Sequence, residues 1–477
     1  MFTRKVSRVL VLLLTVIFLF STLAGCGSKS ADSAANDSQK PQSDSKADAA
    51  QSTAGQETAE KPTDPFDYST AKIDWKQKQG TTIRAMFSKH FFTDGIQTLL
   101  PEFEQLTGIK VQFEVFPESE FWNKMLIEFN GGSNPPDVFM LNYNAVAQYH
   151  EGGWLEPLEQ YIKDPKLTDE QWYDFKDFLA TAIDFGTYKN IFYGFPVTGE
   201  WQILFYRKDL YEQNGLKVPE TMEELYNNAK ALHSDKIAGI VNRCARTSAA
   251  FWPWGGFVRT YGGYWFTPDG QVQLTSEPVV KATDMYVKLL KECGPKGVVN
   301  YTWYEALTDF QQGKAAHFID SSGFMAMVED PAKSAVAGKV GYALLPSAES
   351  GKKAVPNVNH WMLGMGKQSK NKEAAYLFLE WATSKKVGKV IAINNGTAAR
   401  TSLWQDEEFM KKYPQDWVKA SLDSSPISDK LAIPQIKELG QVGEYLEIAL
   451  NEIYGGNKST ADALKEAETK TLKAIGK

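Results

Sequence analysis

The sequence predicts an α/β fold built as two lobes. Three observations carry this. A chain of 477 residues, 43% of them hydrophobic, holds two or three domains' worth of core. Strand-like and helix-like runs alternate between residues 81 and 141 in the order β-α-β-α-β. That order builds a mostly parallel sheet with helices on its faces. The second half alternates in the same style and shows no short internal repeat, which fits two α/β lobes and not a solenoid.

Residues 1–25 read as an export signal. Arg4, Lys5 and Arg8 form a basic start, and residues 9–20 (VLVLLLTVIFLF) are an apolar run. That run is short for a spanning helix, which needs about 20 residues. Leu23-Ala24-Gly25-Cys26 follows and resembles the lipobox of bacterial lipoproteins, which implies cleavage before Cys26 and a lipid on its sulfur. Residues 26–65 then make the anchor and a disordered tether. From Gly27 to Pro65 there is no aromatic residue, so this stretch buries too little apolar surface to offset ordering entropy. A long tether fits a cell without an outer membrane, a Gram-positive one.

From Phe66 the rings begin. Residues 81–87 (TTIRAMF) and 110–116 (KVQFEVF) read as strands. Between them Ile96, Leu99, Leu100, Phe103 and Leu106 share a helical face. Phe121, Met125 and Phe129 mark a second helix, and 137–141 (DVFML) a buried strand. Residues 203–206 are strand-like, and Thr221 with Glu224 is a capping box. Val279, Val280, Thr283, Val287 and Leu290 stripe a long helix. Residues 315–319, 340–345 and 361–365 are strand-like, and 372–383 is amphipathic. The first lobe is expected to take residues 66–197 plus about 322–364, and the second about 198–321 plus 365–477.

Composition excludes several classes. A net charge of −6 without a Lys/Arg tract argues against nucleic acid as a partner. Three Cys rule out a disulfide scaffold or Cys-rich zinc module. The five His form no HExxH, and there is no GxSxG elbow and no GxxxxGK[ST] loop. No cofactor and no metal are expected. Cys244 and Cys293 stand either as a disulfide or as two buried thiols.

Ordered landmarks then accumulate. Phe103-Glu104-x-x-Thr107-Gly108-Ile109-Lys110-Val111 is followed by Pro136-Asp137-Val138 and by Gly153-Trp154-Leu155-Glu156-Pro157-Leu158. Next come Tyr193-Gly194-Phe195-Pro196, Tyr206-Arg207-Lys208-Asp209-Leu210 and Gly313-Lys314-Ala315-Ala316. Ser369-Lys370-Asn371-Lys372-Glu373 and Gly396-Thr397-x-x-Arg400-Thr401-Ser402 close the series. In this order, over residues 81–403, they resemble the extracellular solute-binding proteins of bacterial ABC importers, in the family that takes up sugars and sugar alcohols. Glu200, Arg207-Lys208-Asp209, Arg243 and Gly294-Pro295 look most like its polyol-binding branch. Trp201 and the aromatic 251–254 stretch (FWPW) depart from that branch.

The resemblance implies a periplasmic-binding-protein-like fold: two lobes, a ligand cleft and three crossing segments. It implies a monomer that does no chemistry, traps a sugar or polyol, and delivers it to the permease subunits of an ABC importer. It also implies a lipid anchor on the extracellular face of the cytoplasmic membrane. A polyol needs charged or amide groups for its hydroxyls and flat rings for its C–H faces. The ligand-binding candidates are therefore Glu200 and Trp201 at the first crossing, Asn142 and Tyr143 after the 137–141 strand, and Asp320 after the 315–319 strand. Trp252 and Trp254 flank Pro253 in an expected loop, and Arg243, Arg400 and Trp361 complete the set, with Ser88 and His90 as weaker candidates. An exported glycoside hydrolase using Glu200 and Asp320 as its carboxylate pair is the alternative. A carbohydrate-sensing surface lipoprotein is another.

Overall fold

The computed structural model describes residues 63–131, 134–246 and 249–477. The export signal, the lipobox with Cys26 and almost all of the tether lie outside the described residues. Two separate sheets, both within the packed unit of residues 61–477, organise the rest.

The first sheet starts with β1 (Thr82–Ser88), followed by helix α1 (Phe91–Thr107), β2 (Lys110–Phe116), α2 (Glu118–Gly131), β3 (Val138–Asn142) and α3 (Tyr143–Glu151). β1 lies between β2 and β3, parallel to both. All five residues of β3 are buried, the signature of a strand covered on both faces. A small ribbon, β4 (Thr187–Tyr188) with β5 (Ile191–Phe192), precedes β6 (Gly194–Pro196). α1 ends at Gly108 in the left-handed region, φ 70°, where glycine pays no Cβ penalty.

The chain then enters the second sheet. β7 (Glu200–Arg207) is its spine, with β8 (His317–Ser321) on one edge and β9 (Val340–Leu344) and β10 (Val358–Asn359) along the other. Every ladder on β7 is antiparallel. β11 (Trp361–Met365) returns to the first sheet and runs antiparallel between β3 and β6, giving the order β2-β1-β3-β11-β6. The Lys372–Ala382 helix packs on β11 and the Lys385–Asn395 helix on α1. The Gln415–Ser424 helix packs back on β9 and β7. The chain thus passes between sheets at 197–199, at His360, and again after Asn395.

Three expectations need correcting. The first sheet, expected to be mostly parallel, is mixed: β1 pairs in parallel with β2 and β3, but both ladders of β11 are antiparallel. Residues 340–344, expected in the first lobe, pair with β7, and the 372–395 helices, expected in the second, cover the first sheet. A short buried strand has the same apolar pattern in either sheet, so its pattern does not fix its lobe. Residues 251–260 form a helix (Phe251–Thr260), not a loop. Pro253 sits in the first turn, where no backbone donor is needed. Gly255 and Gly256 let the helix approach closely: a Cβ at Gly256 would lie 1.6 Å from Gln202 Oε1, and one at Gly255 2.7 Å from the Ala432 carbonyl. Cys244 and Cys293 are free and buried, and burial pushes their thiols up to about 12 and about 11.

Candidate functional site

The two sheets bring their strand ends together around a cavity of about 280 Å³. His90 follows β1 and Asn142 ends β3, so both lie at carboxyl ends of parallel strands. β11 runs the other way, and its register sets Trp361 opposite Asn142. Ser321 ends β8 and Glu200 begins the antiparallel β7 beside it. Asn359 pairs with Glu200 across the β10 ladder. Each of these residues lines the cavity, and so do Arg243, Trp252, Trp303 and Phe324 from the second lobe and Glu118 and Asn144 from the first.

Glu200 is buried, 4% exposed. Its Oε2 accepts from Ser321 Oγ at 2.6 Å, while its Oε1 has no hydrogen-bond partner. Burial acts to raise this carboxyl, but His90 together with the Ser321 and Thr198 hydroxyls outweighs it and holds the group below the usual carboxylate range. Arg243 lies on the other wall. Its Nε and Nη2 donate to Asp320 at 2.7 and 2.6 Å, and its guanidinium sits 5.5 Å from the Trp252 ring centroid. Burial acts against the charge, but the Asp320 carboxylate holds the guanidinium above its ordinary value. Trp361 is braced from behind by Trp122, stacked at 5.7 Å and 17°.

Five of the ten predicted ligand contacts, Glu200, Arg243, Trp252, Trp361 and Asn142, line the cavity. Asn142 is partly committed, since its Oδ1 caps α3 through the Ala145 N–H at 3.2 Å. The other five sit elsewhere. Asp320 is fully buried with both oxygens on Arg243, so it positions that residue and is not itself free for a substrate. A Glu200–Asp320 acid/base pair therefore has no geometric basis. Trp201 is fully buried and packs edge-on to Trp404 at 5.4 Å. Trp254 is core, its indole N–H donating to Thr283 Oγ1 at 2.9 Å. Tyr143 is buried against Phe185. Arg400 is 1% exposed and donates to the carbonyls of Thr383 and Asp174.

Sequence reasoning missed Glu118, Asn144, Trp303, Phe324 and Asn359 as cavity residues, and ranked His90 low. Position after a strand was the available signal for His90 and Asn144. Nothing local in the sequence marks Trp303 or Phe324, which reach the cavity through tertiary packing. Among the described residues no helix is long and apolar enough to cross a membrane.

Comparison with known proteins follows the same lines. The sequence model of the bacterial extracellular solute-binding proteins matches residues 91–389. The erythritol/L-threitol-binding protein of Mycolicibacterium smegmatis is 27% identical over 85% of this chain and 88% of its own length. The mannitol-binding protein of Pseudomonas aeruginosa is 28% identical over 80% of this chain and 90% of its own. Among solved structures, an ABC transporter solute-binding protein of Agrobacterium radiobacter in complex with ribitol superimposes with a TM-score of 0.76 at 28% identity, covering 83% of this chain and 99% of that one. One from Agrobacterium vitis with bound D-mannitol gives 0.74 at 26%, with the same coverage.

Proposed function

The chain belongs to the bacterial extracellular solute-binding proteins, and from that premise we propose that it captures a sugar alcohol or a sugar between its lobes and hands it to the permease of an ABC importer. The observation that carries this is the cavity itself. A buried carboxylate oxygen without a partner, a braced guanidinium and several amides face a space walled by Trp252, Trp303 and Trp361. Hydroxyls bond to the charged and amide groups, and rings cover C–H faces. Relatives that bind erythritol, mannitol and ribitol support an acyclic polyol first.

Glu200, Arg243, Trp252, Trp361 and Asn142 are the ligand contacts in this reading, and the protein acts by binding alone. The first lobe takes residues 66–197 with 361–395, and the second 200–359 with the chain from about 415 onward. Lipidation at Cys26 holds the molecule at the outer face of the cytoplasmic membrane, as a monomer on its tether. Thermal shift with erythritol, ribitol, D-mannitol and maltose tests it, since a ligand that binds only the folded state raises the melting temperature. A rise with at least one alditol is expected. A flat response to every polyol and sugar would overturn the reading.

A further inference from the structure

His90 and Glu200 come from different segments and meet at the cavity wall, with His90 Nε2 3.6 Å from Glu200 Oε1. The tautomer of His90 is set by the fold. It is the N-cap of α1, and its Nδ1 accepts the Phe92 N–H at 3.1 Å. An amide only donates, so Nδ1 carries no proton and, in the neutral ring, Nε2 does. A fixed donor therefore stands beside a buried acceptor that has no partner. The gap between them is too long for a direct hydrogen bond, yet short enough that one oxygen can lie within about 2.8 Å of both.

Resting on the polyol reading above, we propose that His90 and Glu200 together read a single ligand hydroxyl, which accepts from His90 Nε2–H and donates to Glu200 Oε1. The pair then selects for a group that is donor and acceptor at once. A ketone or an ether oxygen at that position lacks the proton for Glu200, and an ammonium lacks the lone pair for His90. The rings around the pair keep it rigid: His90 packs on Phe91 at 3.8 Å and on Trp361 at 5.1 Å. Ser321 holds the other oxygen of Glu200, which leaves Oε1 as the one that reads.

The test is a double-mutant cycle on the full chain, with D-mannitol and ribitol binding followed by calorimetry. His90→Ser keeps a side-chain oxygen for the cap of α1 and removes the Nε2 donor. Glu200→Gln leaves one acceptor, already engaged by Ser321, and turns a donor toward His90. Each single change is expected to weaken binding about tenfold, because a hydroxyl gripped at one end only is no longer fixed between the two groups. The double variant should bind no worse than the weaker single one, because both lose the same hydroxyl. The melting temperatures of the ligand-free proteins should show only the smaller coupling that His90 already exerts on the Glu200 carboxyl. Additive losses in affinity, or equal coupling in the ligand-free melting temperatures, would overturn the pairing. If the unmodified protein binds no polyol or sugar, the reading beneath it falls first, and the pairing with it.

Discussion

Asp320 grips the Arg243 guanidinium with both oxygens, Oδ2 on Nε at 2.7 Å and Oδ1 on Nη2 at 2.6 Å. The carboxylate is fully buried, whereas Arg243 reaches the cavity. Asp320 thus aims a residue it shields from nothing else. Asp320→Asn is expected to weaken polyol binding at least tenfold and to destabilise the fold by about 3–5 kcal/mol, the usual cost of orphaning one member of a buried ion pair. Calorimetry and urea unfolding measure the two effects. Unchanged affinity in a folded D320N protein would show that Arg243 needs no brace.

Trp361 and Trp254 separate binding from packing. Trp361→Ala removes a cavity wall and should abolish measurable D-mannitol binding. Trp254→Phe removes the hydrogen bond to Thr283 and trims a fully buried ring, and should cost about 1–3 kcal/mol of stability, with affinity unchanged. Loss of binding in W254F would place that ring nearer the ligand than its full burial allows.

These two rings show what was legible in the sequence and what was not. The strand spanning Trp361–Met365 was readable residue for residue, because a short unbroken apolar run is a local signal. The arrival of Trp361 at the cavity followed from its place at the head of that strand, but the burial of Trp254 in the core was not legible, because it lies in an aromatic, Gly- and Pro-flanked stretch. A Pro-Trp-Gly-Gly run reads as a loop until the partner that requires close approach, Gln202, is known. Arg400 failed for a related reason. A late Arg beside a Gly-Thr turn looks like a ligand donor, yet its donors are taken by the Thr383 and Asp174 carbonyls. What sequence order supplied was the arrangement of elements. What it lacked was which side chains neutralise one another.

Arg400→Gln should accordingly lower the melting temperature while leaving D-mannitol affinity within twofold. The guanidinium is 1% exposed and rests 4.0 Å from the Phe178 ring centroid. Its removal leaves the buried Thr383 carbonyl underbonded, at about 1–3 kcal/mol, and frees the part-buried Asp174 carbonyl. A selective loss of affinity at unchanged stability would contradict this.

His317 and His360 set an acid limit on stability. Both are fully buried, and burial lowers each imidazole from 6.5 to about 4. Between those values the unfolded chain takes up protons that the folded one refuses, so stability falls as pH drops from about 6.5 to about 4. At 1.36 kcal/mol per unit, each contributes about 3 kcal/mol of loss across that window. Glu380 works the other way, because burial raises its carboxyl and its cost to folding grows as pH rises above the unfolded value. The comparison is therefore between His317→Gln and the parent, which share Glu380. The variant should show a shallower urea-midpoint slope from pH 6.5 to 4.5, and parallel slopes would refute the assignment.

Cys26→Ser tests attachment. In cells the variant should appear in the culture medium, and the unaltered protein in the membrane fraction. Identical fractionation of both would remove the lipid anchor from the proposal.

Thr198 ties the passages between the lobes together. Its carbonyl bonds His360 Nδ1 at 2.8 Å, and its hydroxyl takes the Trp361 N–H at 2.9 Å. A few atoms away, Ser322 Oγ holds the Trp201 N–H at 3.1 Å, and Trp201 leans on Trp404 of the last passage. Segments bound at such short range cannot flex separately. The lobes are joined by one axle and not by three strings, so any opening of the cavity must be a rotation about this knot. A single flexible substitution in one passage would not loosen it, and the mouth of the cavity would open along one fixed arc.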